Sequence, residues 1–344
     1  MSLKDLPKVL LHDHLDGGLR PSTLVELAAE HGYRRLPTTK HEQLSSWLRT
    51  GGEGSIKKVL WAYGHMVAVM QTADAIERVA REAAEDLRRD NIVYAELRLA
   101  PTEHTGRGLS PGEVIEAATR GLEAGGGSDL VAQLVLVSMR QRMDSELIAE
   151  LAVRYHGHGV VGFDMAGLES GYPLTDHVGA FEIARAGNLS ITVHAGDEEG
   201  IESIIEAVDV CGADRIGVAH RIVDEISVSP DGSIELGPRA ALIRDARTHL
   251  ELCPSAGLRM HGISHFEHPV GWLKRAGFEI SVNTDSRILF APDMTHEFNM
   301  VTRHHDFTVD DLRMITLAAA DAAFCDDDTK EAVRASVEQG FTGL

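Results

Sequence analysis

Two histidines near the N terminus have the spacing of metal ligands. His12 and His14 flank Asp13 in the run LLHDH. Because successive side chains of a β-strand point to opposite faces, both imidazoles lie on one face of such a strand and can converge on one ion. An isolated pair of this kind more often has a structural role. A metal site therefore needs further ligands from elsewhere in the chain.

Three other apolar runs end in histidine or acidic residues. They read TVHAGD at 192–197, RIGVAH at 215–220 and NTDS at 283–286. If these runs are strands of one barrel, their carboxyl ends surround a single pocket. Imidazoles with one carboxylate suit zinc, with iron, cobalt and manganese as competitors. Such an ion lowers the pKa of bound water towards roughly 7, and Asp197 and His220 are our candidates for moving its protons.

Eight short β-rich runs alternate with longer segments of helical periodicity. The predicted strands are Val9–His12, Ile92–Leu99, Leu130–Ser138, Val160–Met165, Ser190–His194, Arg215–His220, Thr248–Cys253 and Phe278–Asn283. Eight strand–helix units are the number that closes a TIM barrel. The first strand is followed by LDGG rather than GxGxxG, which argues against a doubly wound dinucleotide-binding sheet. We therefore predict the α/β class, as a single (β/α)8 TIM barrel over residues 1–344.

The segment of about 36–72 exceeds a plain barrel connection and predicts extra helices that cap the C-terminal mouth of the barrel. Two interpretations of its apolar residues stay open. Leu60, Trp61 and Tyr63 either form a lid over the pocket or pack against the barrel wall.

The amino-acid composition argues against several classes of binding partner. The chain has 33 Lys+Arg against 53 Asp+Glu and a formal net charge of −20, which argues against nonspecific binding to nucleic acid or to anionic membranes. Three cysteines without CxxC spacing predict neither a disulfide framework nor a thiolate zinc site. No apolar run reaches the roughly 18 residues of a membrane span, and no secretion signal is visible. We expect a small-molecule partner and a cytoplasmic location, with a homo-oligomer as a possible assembly.

Along nearly its whole length the chain resembles the adenosine deaminase family of the amidohydrolase superfamily. The resemblance is carried by LPKVLLHDHLDGGLRP, VVGFDMAG, TVHAG, LELCPS and VNTDSR, which occur in the family's order. It implies a (β/α)8 barrel with one zinc ion per chain. It also implies hydrolytic removal of ammonia from C6 of adenosine or a related 6-aminopurine through a zinc-bound hydroxide, with a purine nucleoside or base as the partner.

The matched motifs imply roles for individual residues. The metal ligands would be His12, His14, His194 and Asp285. Asp16 would contact the sugar 5′-hydroxyl, and Gly167 would contact the purine ring through its backbone N–H. The chain does not resemble the other zinc deaminase design, because it has neither H-x-E nor P-C-x-x-C.

Three positions depart from the family's motifs. Asp197 replaces the glutamate of HAGE and is one methylene shorter. Val218 replaces the histidine of RIGHG, and His220 lies two residues later. Either a bulge returns His220 to the attacking water, or its role has been lost or reassigned. Ser286 replaces the second aspartate of NTDD at the position facing the purine, and a serine hydroxyl both donates and accepts.

Two further functions stay open because of these departures. One is an amidohydrolase that acts on a modified purine or another cyclic amidine. The other is a metal-binding pseudoenzyme with little turnover. His261, His265 and His268 are also spaced like ligands, but they precede the eighth strand, and we interpret them as loop or helix residues without a second metal site.

Overall fold

The computed structural model describes residues 2–51 and 54–342 and contains the predicted barrel. In chain order the strands are β1 (Lys8–His14), β2 (Ile92–Leu99), β3 (Val131–Met139), β4 (Val160–Ala166), β5 (Ser190–Ala195), β6 (Arg215–Val218), β7 (Ile226–Val228), β8 (Ile234–Leu236), β9 (His249–Leu252) and β10 (Ile280–Val282). Eight of them pair in the order β1-β2-β3-β4-β5-β6-β9-β10, all in parallel. A parallel bridge between Asp13 and Asp285 joins β10 back to β1. The prediction of a (β/α)8 barrel is confirmed.

Helices connect the strands and surround the barrel. They are α1 (Pro21–Glu30), α2 (His41–Gly51), α3 (Ile56–Val69), α4 (Ala73–Arg89), α5 (Pro111–Gly126), α6 (Ser145–Tyr155), α7 (Val178–Ala186), α8 (Ile201–Asp209), α9 (Pro238–Asp245), α10 (Pro254–His261), α11 (Val270–Arg275), α12 (Met294–His304), α13 (Val309–Ala322) and α14 (Asp327–Phe341). Several begin at side chains that cap free backbone N–H groups. Ser110 and Glu113, for example, form a reciprocal capping box at the start of α5. Within the described ranges, no helix is both long enough and apolar enough to cross a bilayer.

The sixth barrel strand is shorter than the sequence suggests. We predicted a strand through His220, but β6 ends at Val218, and this boundary was wrong. Val218 and Ala219 have φ values of +71° and +51°, in the left-handed region where a strand cannot continue. The chain then turns sharply into a 3₁₀ turn, His220–Glu225, and a β7–β8 hairpin that the sequence analysis did not predict.

The insertion of about 36–72 contains α2 and α3, with residues 52 and 53 outside the described residues. Leu60 and Tyr63 of α3 line a cavity at the barrel mouth, whereas the Trp61 side chain is 56% exposed. The function of this insertion as a lid stays a prediction.

Helices α4 and α5 approach closely because α5 has glycines at the contact. A Cβ atom at Gly121 would lie 2.3 Å from the backbone oxygen of Glu77. We expect Gly121→Ala to lower the free energy of unfolding by about 1–3 kcal/mol, because a packed core resists added volume. Gly126→Ala is the matched control, since its Cβ would meet no atom within 4 Å. Urea unfolding measures both, and equal effects of the two substitutions would contradict this account of the packing.

Candidate active site

A cavity of about 360 Å³ opens at the carboxyl end of the barrel strands. Six of the nine predicted site residues line it, namely His14, Asp16, Gly167, His194, Asp197 and Asp285. Of the other three, His12 lies fully buried beside His14 and His194, and His220 and Ser286 are buried without lining the cavity. The structure thus brings all four predicted metal ligands to one place.

The three histidines form a compact cluster at the floor of the cavity. Their ring centroids lie 4.6 to 5.6 Å apart, and one nitrogen from each ring lies within 4.8 Å of the other two. His12 Nδ1 lies 3.0 Å from Glu251 Oε2, and His194 Nδ1 lies 3.0 Å from Asp164 Oδ2. In this arrangement Nδ1–H donates to a carboxylate and Nε2 keeps a free lone pair, as in imidazoles that bind metals.

Two observations indicate that this donor set fits a metal ion. His12 Nε2 is buried and has no hydrogen-bond partner within the described residues, although buried polar atoms are normally paired. A carboxylate oxygen of Asp285 lies within 4.8 Å of a ring nitrogen of His12 and of Cys253 Sγ. Three imidazoles and one carboxylate match the ligands that zinc takes in proteins. Cys253 is a neighbour of this site that the sequence analysis did not select.

Backbone geometry presents the Asp285 carboxylate to the cluster. Its N–H donates to His12 O at 3.0 Å, and its carbonyl accepts from His14 N at 2.7 Å. Its φ is +59°, an uncommon conformation for a residue other than glycine. Burial lowers the pKa of His12 to about 3 and raises the pKa of Asp285 to about 7. The imidazole is therefore held neutral, the form that binds a metal.

A network of buried charges beneath the cavity holds the ligands in place. Arg98, with no exposed surface, donates to Asp164 at 2.8 Å and also to Glu251. Arg215 Nε lies 2.6 Å from Glu251 Oε1. Burial favours a neutral Glu251, but Arg98 and Arg215 outweigh it and hold the pKa of Glu251 well below its usual value. The sequence analysis missed these residues. The sequence feature that could have identified them is the presence of charged residues inside otherwise apolar strands.

Asp197 lies in the cavity wall on the loop after β5. Its N–H donates to Glu169 Oε1 at 3.0 Å, and Glu199 N donates to Glu169 Oε2 at 2.9 Å. The Glu169 side chain thus holds both ends of this short segment. Asp197 Oδ1 lies 2.7 Å from Nε2 of His261, the last residue of α10. His261 is therefore the imidazole next to Asp197, although the sequence analysis assigned it no role.

His220 is not among the residues that line the cavity. Val218 lines the cavity in its place, and the left-handed turn at 218–219 carries the chain away before His220. The His220 ring stacks on His261 with centroids 4.5 Å apart and an interplanar angle of 12°. Burial lowers the pKa of His220 to about 4. No bulge brings His220 back to the cavity, and its catalytic role stays a prediction.

The three predicted substrate-binding residues have different surroundings. Gly167 has a φ of +103°, a conformation that favours glycine, and a Cβ there would lie 2.2 Å from Oε1 at the movable end of the Gln141 side chain. Asp16 accepts from the N–H of Gly17 at 3.0 Å and faces the cavity. Ser286 is fully buried behind Gly17, where an added Cβ would lie 2.4 Å from Ser286 Oγ. Ser286 is not among the residues that line the cavity.

Known proteins with similar sequences give the family of the chain, and known structures share its fold. The family model described as adenosine deaminase matches residues 7–340. Adenosine deaminase 1 of Streptomyces coelicolor is 45% identical over 351 residues, which cover 99% of this chain and 89% of the relative. Adenine deaminase of Arthrobacter aurescens superposes with a TM-score of 0.85 at 21% identity, covering 97% of this chain and 98% of that one. A zinc-bound amidohydrolase of Burkholderia ambifaria superposes with a TM-score of 0.85 at 24% identity, covering 98% and 91%. The chain belongs to the adenosine deaminase family.

Proposed function

We propose that the protein is a zinc-dependent aminohydrolase that releases ammonia from C6 of adenosine or a related 6-aminopurine. The observation that carries the proposal is the histidine cluster with Asp285 at the floor of a cavity that has Asp197 in its wall. The name of the Streptomyces relative and the zinc in the Burkholderia structure support the substrate class and the metal. The cavity volume of about 360 Å³ falls within the roughly 300–1,000 Å³ of small-molecule sites.

Four side chains would hold the ion. They are His12, His14, His194 and Asp285. A zinc ion at this position supplies Lewis-acid activation of a water molecule near neutral pH. Glu251 and Asp164 each fix one imidazole by accepting from its Nδ1–H, which aims Nε2 at the shared position.

Other residues bind and orient the substrate. The Asp16 carboxylate would accept from a sugar hydroxyl, and the backbone N–H of Gly167 would donate to a ring nitrogen. Val59, Leu60 and Tyr63 on α3 also line the cavity, where they would cover the base and exclude bulk water. This arrangement leaves the exocyclic nitrogen and C6 of the purine facing the histidine cluster.

Asp197 is the residue in the wall that would move protons. Deamination needs one proton at the ring nitrogen beside C6 and one at the departing amine, both derived from water. The Glu169 side chain holds the backbone of Asp197, so the Asp197 carboxyl group can give and take these protons without leaving its position.

We also propose that residues 1–344 form one domain with a lid at about 36–72. Met1, Gly52, Glu53, Gly343 and Leu344 lie outside the described residues.

Zinc titration of the metal-free protein with adenosine as substrate tests the proposal. We expect the ultraviolet absorbance to change from that of adenosine to that of inosine, with activity saturating at one zinc per chain. Ammonia release from 2′-deoxyadenosine, adenine and AMP then defines the preferred 6-aminopurine. Bound zinc without ammonia release from any of these compounds, even at high protein concentration, would contradict the proposal. Turnover of a different cyclic amidine would instead favour the alternative substrate class, and a screen without any turnover would favour the pseudoenzyme.

A further inference from the structure

The carboxylate of Asp197 contacts an imidazole from an unexpected part of the barrel. The family's motif places its histidine in a different segment of the chain. In the motif RIGHG the histidine occupies the position of Val218, which here offers an apolar side chain to the cavity. His261 Nε2 lies 2.7 Å from Asp197 Oδ1 and arrives from the end of α10, after β9. Strands β6 and β9 are neighbours in the barrel, so the two routes reach the same sector of the mouth.

The shorter side chain at position 197 is consistent with this contact. Lacking one methylene, the Asp197 carboxylate stays nearer its own backbone, which Glu169 holds through the N–H groups of Asp197 and Glu199. At that position its partner is His261. The two side chains are only 11% and 20% exposed, so solvent screens the pair little compared with a surface ion pair.

Surrounding rings hold His261 in place. His220 stacks face to face on it at 4.5 Å, and His268 lies 5.7 Å behind His220. His268 is fully buried, and burial holds its pKa well below its usual value, so this inner ring is neutral. His220 therefore serves as a flat, uncharged support for His261. This packing role accounts for the presence of His220 at a position that does not line the cavity.

We propose that His261 is a positioning residue that holds the Asp197 carboxyl through a close ion-pair contact. Asp197, held in this way, thereby does the work that the family's motifs divide between a glutamate and a histidine. This inference rests on the proposed function.

In the reaction the water oxygen bonds to C6 and the C6–N bond breaks. One hydrogen of water ends on the adjacent ring nitrogen and the other on the departing ammonia. The Asp197 carboxyl, held by His261, relays both protons and returns to its starting state.

Kinetic measurements on His261→Asn test this role. The shorter amide neither reaches Asp197 nor carries a positive charge, so the contact is lost. We therefore expect kcat to fall about 100-fold, at the lower end of the usual contribution of acid–base groups, with KM changed less than about threefold. His304→Asn is the matched control, because His304 is exposed and stacks on His265 away from the cavity. Wild-type kcat in His261→Asn, or a large rise in KM alone, would overturn the proposal.

A measurement without turnover separates this inference from the proposed function. The ¹⁵N chemical shifts of the His261 ring show which nitrogen carries the proton. We expect Asp197→Asn to move these shifts, because it removes the carboxylate beside Nε2, while His304→Asn leaves them unchanged. Identical His261 shifts in the wild type and Asp197→Asn would refute the pair. Shifts that respond as expected in a protein without deaminase activity would retain the pair and reject the proposed function.

Discussion

Glu251→Gln is expected to lower the free energy of unfolding of the metal-free protein by about 3–5 kcal/mol. Glu251 is fully buried and accepts hydrogen bonds from Arg98 and Thr192, while Arg215 forms an ion pair with it. Gln removes the charge but keeps the shape, so two buried guanidinium groups lose a shared counter-ion. Removing one partner from a buried ion-pair network has this cost because the remaining charges are poorly compensated, with only Asp164 left for Arg98 and only Glu96 for Arg215 among the carboxylates of the described residues.

The same substitution should also weaken the metal site. His12 Nδ1 donates to Glu251 Oε2, and a glutamine amide is a weaker acceptor that can also turn its NH₂ group towards the ring. We expect zinc affinity to fall about 10- to 100-fold, as for other partners that orient a metal-binding histidine. Urea unfolding without zinc and competition with a chromophoric chelator measure the two effects separately.

Glu235→Gln is the control for Glu251→Gln. It makes the same chemical change at an exposed position on β8, so its effect on unfolding should stay within about 0.5 kcal/mol. If Glu251→Gln were as stable as the wild type and bound zinc equally well, the buried network would not support the ligands as we describe.

The sequence predicts the barrel because its signals are local and repeated. The apolar runs at β2 and β5 are bounded by clear helix signals, and their observed limits match the predicted ones within one residue. The end of β6 was not predictable in the same way. Its turn depends on left-handed conformations at Val218 and Ala219, and valine strongly disfavours that region. Only tertiary contacts can impose it, at a cost of about 1–2 kcal/mol per residue.

The candidate site likewise has one part that the sequence predicts and another part that it does not. The period of two in a strand is enough to bring His12 and His14 to one face, and the barrel then brings His194 and Asp285 to them. The contact between Asp197 and His261 has no such signal, because it depends on where α10 ends relative to the loop after β5. A sequence motif fixes residue type and spacing but not the direction in which a helix leaves the barrel. The replacement at Val218 was visible in the sequence, whereas the neighbour of Asp197 was not.

His194→Ala is expected to weaken zinc binding about 100- to 1,000-fold. Four-ligand structural zinc sites have binding free energies of about 10–16 kcal/mol, so the loss of one ligand amounts to roughly 3–4 kcal/mol. His194 contributes a ring within 4.6 Å of His12, and its Nδ1 is held by Asp164. Removing this ring also leaves the Asp164 carboxylate paired with Arg98 alone among the groups described above.

Equilibrium dialysis with metal analysis measures the loss of zinc directly. His104→Ala is the control, because His104 is even more deeply buried and its ring bonds to the Met70 carbonyl, outside the cluster. It should keep one zinc per chain even if it unfolds at a lower urea concentration. At one equivalent of zinc His194→Ala should show no deaminase activity, and excess zinc should restore part of it only if the remaining ligands still hold the ion. Full zinc affinity in His194→Ala would exclude the His12, His14, His194 and Asp285 set as the metal site, since a four-ligand site cannot lose one donor without a measurable loss of affinity.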